Sequence, residues 1–222
     1  HFYPTNKIRI PIDKANIIKN KVVNPQLYDS IVPYIDIDIK GNAIYKNRLM
    51  MLDLIANNNW KRPVYFSPGA FEDEDYLWMK NYLQLEGMIY KLVPIKTKVD
   101  KDTNPMDMGG LDADKMYSIV MKWDWGNSRG DIYHDPETRK NSISYRSVLS
   151  RLMDKLIAEG KLDKAKKVIE LSLTEMPVEK FGYYSMVEPF ARGYYEVGEK
   201  EKAQQLLEKL IGKYKENLNY YG

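Results

Sequence analysis

The stretch LIANNNWKRPVYFSPGAF, Leu54 to Phe71, constrains the fold more than any other. A helical apolar pattern ends in three asparagines, an aromatic-basic loop of Trp60, Lys61 and Arg62 follows, and Pro63 opens the β-rich run Val64 to Ser67. Pro63 cannot donate to a ladder, so it suits the first position of a strand, and Pro68-Gly69 closes that strand. The stretch therefore reads as a helix-loop-strand junction.

Its flanks carry two periods. KIRIPI (7–12) alternates Ile8, Ile10 and Ile12 with charged residues or Pro, and Tyr34 to Ile39 alternates Ile35, Ile37 and Ile39 with Asp36 and Asp38. Both are period-2 strands; Asp36 and Asp38 share one face, where a solvated surface is the simplest role and a metal would need further ligands. Gly41-Asn42 caps a predicted helix over 43–56, with Tyr45, Leu49, Leu52 and Ala56 as its stripe and Met51 and Ile55 broadening it. A second helix is predicted over 73–83, its acidic first turn complementing the helix dipole, and after Gly87 a strand over 88–93. Strand-helix alternation of this kind predicts an α/β domain over residues 1–98, built on a small, mainly parallel sheet with flanking helices. Ligands in such sheets favour the carboxyl ends of strands, which makes Ser67, Gly69 and Phe71 candidate binding residues. No glycine-rich phosphate loop follows any strand.

Residues 99–141 are polar and broken by Asn104-Pro105, Gly109-Gly110 and Asp135-Pro136, the expected connecting segment packed on the first domain. Asp100, Asp102 and Asn104 begin a calcium-loop spacing, but the central glycine is missing and Leu111 stands where the bidentate Glu belongs. Trp123 and Trp125 lie two apart in the same segment. If extended they face one side, as a stacking platform for a sugar or as a hydrophobic plug. From residue 142 to 222 the period is helical. Leu149, Leu152, Met153, Leu156, Gly160, Ala165 and Ile169 recur 38 residues later as Val187, Phe190, Ala191, Tyr194, Gly198, Ala203 and Leu207. These are the offsets of tetratricopeptide helix pairs, predicting an all-α second part whose small alanines let paired helices approach closely.

Composition excludes several classes. The 222 residues carry a net charge of +3 without a basic stripe, which argues against nucleic acid as partner. Cysteine is absent and there are only two histidines, so neither disulfides nor a zinc site is expected. No apolar run reaches the roughly 20 residues of a membrane span. Because the chain starts at HFYPTNK without Met, it reads as a piece of something longer. No nucleophile-base pair or placed carboxylate pair marks a catalytic residue, and no cofactor is implied.

LMMLDLIANNNWKRPVYFS, YLQLEGMIYKLVPI, MKWDWGN and the closing helical repeats together resemble the C-terminal tail of a family of large, multi-spanning envelope membrane proteins of Gram-negative bacteria, itself similar to the protein O-mannosyltransferases. The resemblance implies a non-catalytic domain on the periplasmic face of the inner membrane. Its expected partner is the membrane-embedded part of the same polypeptide, a glycosyltransferase using lipid-linked sugars, with a glycan or an acceptor protein as further partners. Bracing the membrane part or shaping acceptor access is the implied role; the alternative is a protein-interaction module using the tetratricopeptide-like helices. The family's catalytic carboxylate lies beside membrane spans outside this chain, so no catalytic residue carries over.

Overall fold

The computed structural model describes residues 6–39, 44–67, 79–98 and 108–221, and in it the alternating isoleucines of the first two predicted strands meet each other. β1 (Lys7–Pro11) pairs antiparallel with β2 (Tyr34–Asp38), Ile8 opposite Ile37 and Ile10 opposite Ile35. Ile10, Ile35 and Ile37 are buried. On the other face the Arg9 guanidinium donates to both oxygens of Asp36, at 2.7 and 3.0 Å, and lies 3.6 Å above the Tyr34 ring. Asp36 is thus a cross-strand partner in solvent, where screening leaves such a pair little weight. Between the strands, Asp13 caps α1 (Lys14–Lys19) and Asn24 caps a 3-10 helix, Pro25–Ser30. Ile17, Val22, Val23 and Val93 form a buried cluster against which Ile12, Tyr28, Ile31, Trp60 and Ile95 pack.

The helix before the asparagines is α2 (Lys46–Asn57), with Tyr45 at its N-cap. Residues 40–43, where the Gly41-Asn42 cap was expected, lie outside the described residues. Its buried side chains are Leu52 and Ile55, while Tyr45, Leu49 and Ala56 are exposed. The stripe is therefore narrower than the sequence suggests and rotated towards Ile55.

The strand after Pro63 is β3 (Tyr65–Phe66), and it belongs to a sheet of order β3-β5-β4 with β4 (Leu83–Glu86) and β5 (Ile89–Leu92). Both sheets are antiparallel, which corrects the expected parallel architecture. Gly87, with φ +67°, and Met88 join β4 to β5 as a two-residue hairpin, which only antiparallel strands can use. LQLEGMIYKL is that hairpin: Leu83, the last residue of the predicted helix, opens β4, and Gly87 turns the chain instead of ending a helix. Of the rest of that helix, residues 79–82 form a 3-10 turn and residues 73–78 lie outside the described residues.

Glycine is required where residues 109–110 run along β4. Leu85 N–H donates to Gly110 O at 2.9 Å and Gly110 N–H to Leu83 O at 2.7 Å, so a free strand edge is covered. Gly109 has φ +78°, and a Cβ on it would lie 2.7 Å from the Leu83 carbonyl oxygen.

The chain divides into two compact units, His1–Asp112 and Ala113–Gly222. The boundary falls inside the stretch read as a connection, and residues 113–141 are counted with the second unit. That unit is helical: α3 (Ala113–Val120), α4 (Pro136–Ala158), α5 (Leu162–Glu175), the single turn α6 (Val178–Phe181), α7 (Glu188–Glu196) and α8 (Lys200–Tyr221). Asp135-Pro136, read as a breaker, begins α4 instead. The Asp135 carboxylate accepts from Glu137 and Thr138 N–H and Pro136 occupies the first turn. Two helical pairs, α4–α5 and α7–α8, follow the 38-residue repeat, with Leu149, Leu152, Ala165 and Ile169 buried in the first and Phe190, Ala191 and Ala203 in the second. Ion pairs at Lys166–Glu199, Arg192–Asp154 (2.8 Å) and Lys202–Glu170 (2.7 Å) link one pair to the other.

Gly109→Ala is expected to destabilise by about 2–4 kcal/mol, strain plus a backbone clash. Gly126→Ala, at φ +54° in open space, should cost about 1 kcal/mol. Urea unfolding of both variants checks the difference, and equal losses would remove the edge-covering role of Gly109.

Candidate functional site

The loop after α2 is shaped by its three asparagines, each differently. Asn57 folds back on the helix, donating to Asp53 O and Oδ1 at 3.0 and 2.9 Å. Asn58 brackets the loop: its Nδ2 donates to Arg62 O at 2.6 Å and its Oδ1 accepts from Arg62 N–H at 3.3 Å. Asn59 turns the chain left-handed at φ +49°, and Trp60 follows at φ +57°. Asn tolerates that region, but for an indole-bearing residue it costs about 1–3 kcal/mol. The Asn58 bracket and the seating of Trp60 on the Val22–Val93 cluster hold it there. The reward for this strain is a half-open cleft of about 270 Å³ lined by Pro11, Ile12, Asp13, Ile55, Ala56, Asn59 and Trp60. An aromatic face, a carboxylate and an amide converge there, though the Asp13 carboxylate already receives the N–H groups of Ala15 and Asn16 and the Asn16 side chain. Sequence reasoning singled out Trp60 and Arg62 but not this cleft, because Pro11 to Asp13 reach it only through the fold.

A second polar group lies on the β3-β5-β4 sheet, where Tyr65, Lys91 and Gln84 form one row across the strands. Glu86, 7% exposed, accepts from Tyr65 Oη at 2.8 Å and Gln84 Nε2 at 3.1 Å. Lys91 Nζ stands 3.7 Å from Glu86 and donates to Val22 O at 2.7 Å. Burial, and secondarily the bond to Glu86, push the Tyr65 hydroxyl up to about 12. With both Glu86 oxygens engaged and Tyr65 holding its proton, the group is a satisfied network rather than an acid-base pair.

The predicted site residues do not form one site. Ser67 is exposed after β3 in the first unit, Gly69 and Phe71 lie outside the described residues, and Trp123 and Trp125 belong to the second unit. The two tryptophans follow α3 on an irregular stretch and do share a side, their rings edge to face at 5.6 Å. Each packs on Tyr145 of α4, at 5.4 and 5.5 Å. They are half-buried, a knot of three rings on their own unit. Next to them stand residue types that suggest nucleophilic catalysis, in the wrong geometry. Ser128 Oγ donates to Glu175 at 3.3 Å, Arg129 pairs with Glu175 at 3.6 Å, and His134 Nε2 meets the Ser128 carbonyl at 2.8 Å rather than its hydroxyl. A base must reach the nucleophile's proton, and this imidazole faces an oxygen that carries none.

Among the described residues no three His, Asp or Glu side chains converge to hold a metal ion, and no helix is long and apolar enough to cross a membrane. The Asp100–Asn104 spacing falls outside the described residues. Residues 1–115 match the family described as TMEM260-associated domain 2. The chain belongs to that family. The match ends within three residues of the first unit's boundary at Asp112, so the TMEM260-associated domain is the unit that carries the cleft and the Glu86 network. No curated protein and no solved structure gave a match.

Trp123→Ala is expected to cost about 2–3 kcal/mol, between a core tryptophan and an exposed one, because two edge-to-face contacts are lost at a half-buried site. Denaturant unfolding measures it, and a change within about 0.5 kcal/mol would mean the knot is not structural. Tyr65 supplies a pH test. An unfolded tyrosine ionises near 10 and the folded Tyr65 near 12, so its contribution is fully present below pH 10 and is lost as the pH climbs from 10 to 12. Titration at 295 nm should show Tyr65→Phe lacking one late-ionising hydroxyl, with its stability less sensitive to pH above 10.

Proposed function

We propose that this chain is the non-catalytic periplasmic domain of a membrane glycosyltransferase of the protein O-mannosyltransferase type, bracing the membrane-embedded part of the same polypeptide or shaping acceptor access. The observation that carries the reading is the family match over residues 1–115, which ties the first unit to a membrane protein. The site chemistry supports it. Glu86, Ser128 and His134 are each committed to an internal partner, so transfer is assigned to the membrane part, and the Trp60 cleft is left to touch a small polar group of an acceptor.

A second reading, a protein-interaction module, rests on the helical pairs. Tetratricopeptide-like offsets, Gly160 and Gly198 at φ +71° and +86° in the equivalent turns, and Ala165 and Ala203 both wholly buried support two stacked repeats. Two repeats leave faces that a neighbour must cover.

The purified chain, given lipid-linked and nucleotide-activated sugars with acceptor peptides, is expected to show no transfer and to co-purify with the detergent-solubilised membrane part of its polypeptide. Turnover by the chain alone, abolished by a point change within it, would overturn the first reading. Capture of a separate envelope protein, without the membrane part, would favour the second.

A further inference from the structure

The last helix leaves an apolar seam uncovered. α8 runs from Lys200 to Tyr221, and its buried side chains, Ala203, Leu206 and Leu210, all lie in its first half. None of residues 211–220 is buried, yet Ile211 is 50% and Leu218 71% exposed. Leu207, Ile211, Tyr214 and Leu218 follow one another at steps of four, three and four residues, the 3.5-residue period of a coiled-coil seam. Tyr214 is fixed in that line by donating its hydroxyl to Glu188 at 2.5 Å and by standing edge-on to Tyr184. A stripe with this period fits another helix along about 16 Å. A straight solvent-facing helix has no reason to carry it.

The flanking residues choose the partner. One flank of the seam is turned into the unit's own core through Leu210, so only the other, carrying Glu208 and Lys215, faces a partner. Glu208 accepts only an exposed bond from Gln204, four residues away on its own helix, and Lys215 has no partner among the described residues. In an antiparallel pairing of two copies, Leu207 stacks on Leu218 and Ile211 on Tyr214 of the second copy, each twice by symmetry. The same register sets Glu208 opposite Lys215 in both directions, a self-complementary arrangement. A parallel pairing would set this flank against Ala203 and Leu210, both turned into the unit's own core, and make no ion pair. We propose that α8 is a homodimerisation helix, pairing antiparallel with α8 of a second copy of this chain through Leu207, Ile211, Tyr214 and Leu218, with two Glu208–Lys215 ion pairs fixing the direction.

Sedimentation equilibrium of the whole chain tests this. A seam this short implies a Kd of roughly 10–100 μM. Glu208→Lys alone and Lys215→Glu alone each place like charges across the seam and should weaken dimerisation about tenfold or more. The double variant should restore it. An equimolar mixture of the two single variants should form heterodimers more readily than either forms homodimers, because each then meets its opposite charge. Both side-chain changes are on exposed positions, and unchanged helical circular dichroism shows that folding is intact. A chain that stays monomeric to millimolar concentration, or a dimer indifferent to the single reversals, overturns the proposal. Binding of the monomer to anionic vesicles or to a different protein through Leu218 does so as well.

Discussion

The second unit depends on one buried guanidinium. Arg146 of α4 is wholly inside, and among the described residues no carboxylate pairs with it. It donates instead to main-chain carbonyls: Gly182 O at 2.6 Å, Tyr183 O at 3.4 Å and Met176 O at 2.9 Å. Burial pulls its pKa down to about 10, so it is still a cation at neutral pH and still needs acceptors. The carbonyls it finds belong to the segment that leaves α5 and enters α7, where Gly182 and Tyr183 are left-handed in succession at φ +68° and +52°. Such backbone is held only when its surroundings over-determine it. Arg146 draws three carbonyls of this segment into one clamp, Tyr183 O also accepting from Met186 N–H at 3.0 Å, and the clamp ties the start of the second helical pair to the first.

The first unit meets a similar difficulty by other means. Its sheets are small and its links short, so edges and turns decide the architecture more than strand propensity does. The Gly87–Met88 turn imposes antiparallel pairing on β4 and β5, and the Gly109–Gly110 segment closes the edge that β4 would leave open. On the far side of the sheet Trp60 holds a left-handed conformation because the Asn58 side chain supplies both a donor and an acceptor to Arg62. In both units strained backbone is positioned by a single polar side chain with more than one bond to give.

This explains which features could be read from the sequence. The repeat at 38 residues was legible because paired helices bury a residue every third or fourth position, and Leu152, Ile169, Phe190 and Ala203 are buried accordingly. The alternation of Ile8 to Ile10 and Ile35 to Ile39 was legible for the same reason at period two. Strand direction was not, because it depends on whether Gly87 ends a helix or turns a hairpin, and composition is the same in either case. Nor could the start of α4 be read, since Asp-Pro both breaks a chain and caps a helix. The candidate site was the least legible part. Ser67 was placed by an analogy with parallel sheets that the antiparallel pairing removes, whereas the cleft joins Pro11–Asp13 to Ile55–Trp60, more than forty residues apart.

Several reactive side chains among the described residues are engaged by the protein itself. A catalytic group must hold back some bonding capacity for its substrate, because a carboxylate or imidazole saturated by the protein has nothing to offer a reacting atom. Glu86 takes Tyr65 and Gln84, Asp13 takes the first turn of α1, His134 is turned to a carbonyl, and Asp114 takes Lys161 and Lys164, which hold its carboxyl below the usual range. Among the described residues, the indole and amide around the Trp60 cleft and the apolar line of α8 also stand open to solvent. Aromatic and aliphatic faces of this kind favour contact with another surface, since apolar area left in water gains free energy on burial.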